Sequence, residues 1–308
     1  MTPRVCIDGR PAQGRARGMG VYVRRLVQAL CSGPDAPRLV VALDRRAGED
    51  PWPDCTGPER FWGEARHTAH WEQRILPGLA ARTDLLHATA NTAPAHCPVP
   101  VVVTVHDDIF LRPPWRTWDR FQWRRLPGYA YYRFRTGPGA RRARLVLTDS
   151  EHSRSRLIDR LGLDPGRLRV VPLAEPYPVK PLGKEAMDKV LGELGIVKPY
   201  IMGLGAIDRR KNTVNLVRTF ARLPRAATAM LVLAGFEFAE ESTIPERVRE
   251  FGLTDRVRIL GYLPEERLTA CFQGASAFLY PSLDEGFGLP LLQAFALGVP
   301  VLASRAGA

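Results

Sequence analysis

Long hydrophobic runs are missing from this chain. Apolar stretches such as Val99–Val105 are far too short to cross a bilayer. No basic, then apolar, then small-residue leader opens the sequence, so a cytoplasmic protein without a secretion signal is expected. Cysteine is sparse: Cys6, Cys31, Cys55, Cys97 and Cys271 are odd in number and form no C-x-x-C pair. They are expected as reduced thiols, not as a disulfide framework or a zinc site. Several chemical signatures are absent too. There is no D-x-D, the carboxylate pair by which one large transferase class holds a metal–diphosphate. There is no G-x-x-x-x-G-K-[ST], and Gly203-Leu204-Gly205 lacks the third glycine of a dinucleotide fingerprint. Gly274-Ala275-Ser276-Ala277-Phe278 fails the nucleophile-elbow pattern at its last residue. P-loop NTPases, standard dehydrogenases and serine hydrolases lose weight accordingly.

What is present is an ordinary globular balance, 45% hydrophobic and 25% charged, which excludes wholesale disorder. At 308 residues the chain is long enough for two domains. Its formal charge of +12 is unevenly spread. Between Arg112 and Arg144 stand 10 arginines against one acid, Asp119, so this segment carries +9 of the total. Trp115, Trp118, Phe121, Trp123, Tyr129, Tyr131, Tyr132 and Phe134 lie among them. Such a patch favours anionic partners.

Short β-rich runs alternate with amphipathic stretches from end to end. Arg4–Asp8, Leu39–Leu43, Asp84–Ala88, Val101–Val105, Leu145–Asp149 and Leu168–Val171 read as buried parallel strands. Helical patterns at Val21–Leu30 and Ser153–Leu161 lie between them, the second preceded by the cap-forming Asp149-Ser150-Glu151. The proline-rich, aperiodic Leu173–Gly183 reads as a linker. The alternation then restarts, with strands at Tyr200–Leu204, Met230–Ala234, Val257–Leu260, Ala277–Tyr280 and Val301–Ala303 and helices at Thr213–Leu223, Pro264–Phe272 and Gly288–Leu297. Two successive β/α sets imply an α/β protein of two doubly wound, Rossmann-like domains facing a cleft, with boundaries at 1–178 and 179–308. Five residues follow the last strand, with no covering helix, so the C-terminal domain reads as incomplete.

Pro281-Ser-Leu-Asp-Glu285-Gly286-Phe287-Gly288-Leu289-Pro290 follows a strand and opens a helix. Gly286 and Gly288 let a ligand approach the backbone closely. The N–H groups of Phe287, Gly288 and Leu289 are expected at a helix N-terminus, where a phosphate or sugar oxygen is favoured. Glu285 projects from the loop as an acceptor for ligand hydroxyls, and a tight strand–helix turn with a capping acid is the plain alternative. Arg210-Lys211-Asn212, beside a helix start, suits a diphosphate or is a solvated basic turn. Thr104-Val105-His106-Asp107 ends a Val-rich strand, where ligand groups gather in parallel sheets.

These segments, in this order, resemble the retaining GT-B glycosyltransferases of family 4. That family carries Glu, seven residues, then Glu, before a helix and a G-V-P-V strand. Here Glu285 and seven residues precede Gln293, and Gly298-Val-Pro-Val-Leu-Ala-Ser304 matches the strand. The resemblance implies that Glu285 contacts the donor sugar and that Gln293 stands where the family holds the ribose hydroxyls. It implies that Arg210 and Lys211 hold the diphosphate, that His106 lies near the donor sugar, and that Gly18-Met19-Gly20-Val21-Tyr22 is a loop after the first strand close to the diphosphate and acceptor. Thr148–Arg154 resembles the family's S-x-x-S-R segment, read as structural, and His87 at another strand end is expected to reach the acceptor.

The implied protein is a hexosyltransferase, mannosyltransferase-like, taking a nucleotide-diphosphate sugar on the C-terminal domain and a glycan or lipid-linked acceptor on the N-terminal one. No cofactor and no metal are expected. Transfer would retain anomeric configuration by a front-face displacement, with Arg210, Lys211 and helix-terminal amides stabilising the departing diphosphate. The segment 112–144 is then a packed helix with a solvated face, a contact for an anionic membrane or lipid phosphate on the inner face, or a nucleic-acid site. The last has no recognisable module behind it. A nucleotide-sugar epimerase and a non-catalytic, truncated nucleotide- or membrane-binding module are the competing classes.

Overall fold

A computed structural model describes residues 2–14, 18–33, 36–113, 115, 123–174, 180–205, 208–224, 229–235 and 243–307. It divides the chain into two compact units. The first comprises Met1–Leu111 and Arg124–Pro176, and the second Tyr177–Gly307 together with Arg112–Trp123. The division after Pro176 falls in 175–179, outside the described residues, as does much of the expected linker.

The first unit is built on a seven-stranded parallel sheet in the order β3-β2-β1-β4-β5-β6-β7. Its strands are β1 (Arg4–Asp8), β2 (Arg38–Asp44), β3 (Glu59–Gly63), β4 (Leu85–Ala88), β5 (Val101–Thr104), β6 (Leu145–Thr148) and β7 (Leu168–Val170). β1, β2 and β4 are central and apolar, with Cys6, Ile7, Val40, Val41 and Leu86 fully buried. β3 was not expected from the sequence. It is an edge strand paired only with β2, so it lacks the continuous apolar run that marks central strands. Its Phe61 ring instead lies under the Arg4 and Arg82 guanidinium groups at 5.3 and 5.0 Å.

The order runs outward from β1 to β3 and then resumes at β4 on the other side of β1, with Cys6 beside Leu86 and Ile7 beside His87. The reversal of direction between β1 and β4 opens a crevice at the carboxyl ends of these two strands. Helix Gly18–Ser32 buries Val23 and Val27 against one face. Helix Leu126–Arg142 packs closely on the loop after β4: a Cβ on Gly139 would stand 3.0 Å from the Ala93 nitrogen. Most of the basic segment's beginning, residues 114 and 116–122, lies outside the described residues.

The second unit carries a five-stranded parallel sheet in the order β10-β9-β8-β11-β12. The strands are β8 (Tyr200–Leu204), β9 (Met230–Ala234), β10 (Val257–Ile259), β11 (Ala277–Tyr280) and β12 (Val301–Ala303). One face is covered by a cluster around Tyr200, Met202, Phe272 and Phe278, the other by Leu216, Val217, Phe220 and Leu231. The direction reverses between β8 and β11, so the second crevice lies at their carboxyl ends.

Candidate functional site

Each crevice gathers polar side chains from loops that the sheet order brings together. In the second unit the loop after β8 carries Asp208–Asn212, and the loop after β11 carries Pro281–Gly288. They are stitched by Leu283 N–H to the Arg210 carbonyl (2.7 Å) and by the Asn212 amide to the Pro281 carbonyl (3.1 Å). Asn212 takes the left-handed region (φ 57°), which ends the turn Arg209–Lys211 and starts helix Thr213–Ala221.

Between the two loops Glu285 meets both expected cations. Lys211 Nζ donates to Glu285 Oε1 at 2.8 Å, and Arg210 Nη1 donates to Oε2 and, at 2.7 Å, to the Asp284 carbonyl. Arg210 Nε reaches Asp208 Oδ2 at 3.2 Å. Lys211 also donates to the Tyr280 hydroxyl at 2.9 Å and lies 4.8 Å from its ring centroid. Burial alone would push the Glu285 carboxyl up; the Lys211 and Arg210 charges more than reverse this and hold it near about 2. The same burial draws the Lys211 ammonium below its ordinary value, against the pull of Glu285. The carboxylate and the cations that the sequence assigned to different parts of a ligand thus form one preorganised cluster.

The helix expected over Gly288–Leu297 runs from Leu289 to Ala296, because Gly288 takes a positive φ of 103° and Pro290 occupies the first turn. Gln293 lies in its second turn. It is 5% exposed, and its amide nitrogen has no hydrogen-bond partner among the described residues. Phe287, Gly288 and Leu289 precede or open this helix, with no acceptor for their N–H groups among the described residues.

In the first unit His106 follows β5 and is 7% exposed. Its Nδ1 lies 2.8 Å from Asp149 Oδ2 and its Nε2 3.1 Å from the Thr89 carbonyl. Both partners are acceptors, an arrangement that favours the protonated ring. Burial opposes that charge, but Asp149 outweighs it and the His106 pKa rises. Both ring nitrogens are thus engaged within the fold, and His106 stands at the carboxyl end of β5 as expected. Tyr22 packs edge-on against the ring at 4.8 Å. His87 contacts Thr104 Oγ1 at 2.8 Å; burial and then His106 lower its pKa to about 4, which keeps it neutral. Ser150 caps helix Glu151–Leu161 by accepting from Ser153 N–H, which confirms the structural reading of that segment.

Gly18 and Gly20 do not form a loop. Gly18 is the first residue of helix Gly18–Ser32, and Gly20 is buried in its first turn. Gly20 borders a cavity of about 220 Å³ at the crevice between β1 and β4, with Asp8, Arg10, Thr68, Trp71, Glu72, Thr92 and Tyr132 among its walls. Of these, only Tyr132 stands out in the sequence, among the aromatics of the basic segment. Asp8 was findable: it closes β1, and strand-end position is the argument that selected His106. No cluster of three or more His, Cys, Asp or Glu side chains suited to a metal occurs among the described residues.

Two parallel sheets, each with a crevice at its reversal point, fit the GT-B class of α/β proteins, and solved structures of that fold match the chain. The Anabaena protein HepE in complex with UDP-glucose matches over 100% of this chain and 81% of its own, with TM-score 0.70 and 18% identity. WaaG, a glycosyltransferase involved in lipopolysaccharide biosynthesis, matches over 99% and 81%, with TM-score 0.70 and 16% identity. The family model described as glycosyltransferase family 4 matches residues 16–174, and that of glycosyl transferases group 1 matches residues 193–308. The chain belongs to this glycosyltransferase family. O-antigen chain mannosyltransferase B of Escherichia coli is 30% identical over 208 residues, 66% of this chain and 52% of the relative. MMP alpha-(1->4)-mannosyltransferase of Mycolicibacterium hassiacum is 29% identical over 248 residues, 76% and 56%. The chain spans about half the length of the curated relatives it matches.

Proposed function

We propose that the chain transfers a hexosyl group, mannose-like, from a nucleotide-diphosphate sugar to an acceptor hydroxyl with retention of anomeric configuration. The observation that carries this reading is the Arg210–Lys211–Glu285 cluster at the β8/β11 crevice of a family 4 chain. The diphosphate takes the two cations, the sugar hydroxyls donate to Glu285, and the N–H groups of Phe287, Gly288 and Leu289 add donors for phosphate or sugar oxygens. The bond from the anomeric carbon to the diphosphate oxygen breaks as the bond to the acceptor oxygen forms on the same face. The acceptor proton passes to the departing diphosphate, so no side-chain base is needed, in keeping with a His106 whose nitrogens are both engaged.

The mannosyl preference is supported by two relatives named as mannosyltransferases, and a glycan acceptor by the one named for the O-antigen chain; a lipid-linked acceptor is part of the same proposal. Charge supplied by Arg210 and Lys211 makes a metal dispensable. The test is acceptor-dependent release of nucleoside diphosphate from GDP-mannose and UDP-glucose in the presence of EDTA, with the anomeric product resolved by NMR. Release without any acceptor and with epimerised sugar would favour an epimerase, and abolition by EDTA restored by manganese would overturn the metal-free mechanism.

Peripheral contact with the anionic inner face of a membrane is part of the proposal. Trp123 and Phe134 are each 69% exposed beside the arginines of the basic segment, and no described helix is long and apolar enough to cross a membrane. Sedimentation with anionic vesicles should weaken as salt rises. Equal binding to neutral vesicles, or none to anionic ones, would remove the membrane from the account.

A further inference from the structure

The cavity between β1 and β4 has a composition that selects its occupant. Asp8, 8% exposed, accepts at Oδ1 from the Trp71 indole (2.9 Å) and from Arg10 N–H (3.2 Å); its Oδ2 has no hydrogen-bond partner among the described residues. Directly after Asp8 the chain runs hard against β2, where a Cβ on Gly9 would meet Val41 Cγ1 at 2.5 Å and the Ala42 carbonyl at 3.0 Å. Arg10 spends Nε on buried Asp44 (2.9 Å) and Nη1 on Thr68 (3.0 Å), leaving Nη2 without a partner among the described residues. The Tyr132 hydroxyl likewise makes no hydrogen bond among them, while its ring stacks on Phe110 at 4.6 Å.

Glu72 is held in place from three sides: by Thr92 at Oε2 and by Gln73 (2.7 Å) and the Tyr131 hydroxyl (2.8 Å) at Oε1. The walls therefore offer an open carboxylate oxygen, an open guanidinium donor and an open hydroxyl at the reversal point of a parallel sheet, where ligands bind. Against the acids Asp8, Glu72 and Asp44 stand two cations, Arg10, which acts on Asp8, and Arg135, which acts on Glu72, so the formal balance is still one negative charge. A phosphate or carboxylate group would enter against two buried acids, whereas an uncharged ring with neighbouring hydroxyls would satisfy every open group. The 220 Å³ volume is on the scale of one such ring.

We propose that this cavity is the acceptor subsite and that it takes an uncharged polyhydroxy ring, with Asp8 and Tyr132 as the residues that set specificity against phosphorylated acceptors. The assignment rests on the transferase reading above for the word acceptor, but the cavity's ligand chemistry stands without it. Asp8 is costly to keep, because burial, more than Trp71 and Arg10 can offset, pushes its carboxyl up to about 6. A group held at such cost at a sheet reversal point is characteristic of a binding site.

The experiment is a ligand-observed NMR titration of the full chain with methyl α-D-mannopyranoside, myo-inositol, mannose 6-phosphate and inositol 1-phosphate at pH 8. The uncharged rings should bind, and each phosphate ester at least tenfold more weakly than its parent ring. Asp8→Asn keeps an oxygen for the Trp71 and Arg10 donors and should weaken ring binding at least tenfold. Tyr132→Phe, which cannot disturb the buried acids, should weaken it severalfold, and neither variant should change nucleoside diphosphate affinity. Tighter binding of the phosphate esters, ring binding unaltered in both variants, or no ring binding by the parent would each overturn the proposal. Loss of nucleotide binding with ring binding intact would instead sink the donor-site reading and leave this one standing.

Discussion

Lys211 donates to Glu285 at 2.8 Å across two loops 74 residues apart in sequence, so the cation and the acid proposed for the donor site are each other's partners in the free protein. A nucleoside diphosphate must compete with the carboxylate for both Lys211 and Arg210, and the sugar hydroxyls must take up the carboxylate released.

Glu285→Gln follows from that competition. Neutralising the acid should tighten nucleoside diphosphate binding by roughly 1–2 kcal/mol, the scale of one charge-assisted hydrogen bond, while abolishing sugar transfer. The variant should also be less stable. A carboxyl held near about 2 in the fold, against an ordinary 4.5, contributes stability that is fully present above about pH 4.5 and lost as pH falls toward 2. The stability gap between parent and variant should be widest at neutral pH, about 3 kcal/mol, and close in acid. Thermal melts across pH with and without nucleotide measure both effects; a gap that is constant with pH would mean the ion pair does not form.

Asp8 carries the opposite sign. Its carboxyl titrates near about 6 in the fold and near 3.8 when unfolded, so the folded state binds more protons between those values. Stability from this group falls as pH rises from about 4 through 6, and the ionised acid costs about 3 kcal/mol above that range. Asp8→Asn should melt higher than the parent at pH 8 and no differently below about pH 4. Equal melts at both extremes would show that Asp8 is not strained by burial.

The contrast between these two acids marks how far the sequence could be read. Glu285 was legible because a glycine-rich turn between strand and helix is a local pattern with its own chemistry. β8, β9 and β11 were legible to the residue because buried parallel strands are continuous apolar runs, and β12, an edge strand with Leu302 exposed, because its three residues are all apolar. Glu72 was not, since it lies in the irregular helical stretch Trp71–Ile75 and becomes part of a site only through Thr92 and Tyr131. β3 was hidden by its edge position. The pairing of His106 with Asp149 was hidden because it depends on β5 and β6 being neighbours; the sequence displayed Asp149 only as one of a run of cap-forming residues.

Gln293 yields a test that separates structure from binding. Its amide nitrogen is buried without a partner among the described residues, an arrangement that costs about 1–3 kcal/mol. Gln293→Met should recover part of that and raise the melting temperature. If Gln293 holds the ribose, the same variant should bind nucleoside diphosphate severalfold more weakly. A variant both more stable and equally tight would remove Gln293 from the nucleotide site.

The most direct measurement is calorimetric titration of the full chain, and of Arg210→Ala and Lys211→Ala, with UDP, GDP and ADP. At least one nucleotide should bind the parent. Each substitution should weaken that binding by roughly 2–4 kcal/mol, about 30- to 1,000-fold, because a desolvated phosphate loses a charged partner. Binding unchanged in both variants, or no binding of any nucleotide to the parent, would contradict the assignment of the Arg210–Lys211–Glu285 cluster as a nucleotide-sugar site.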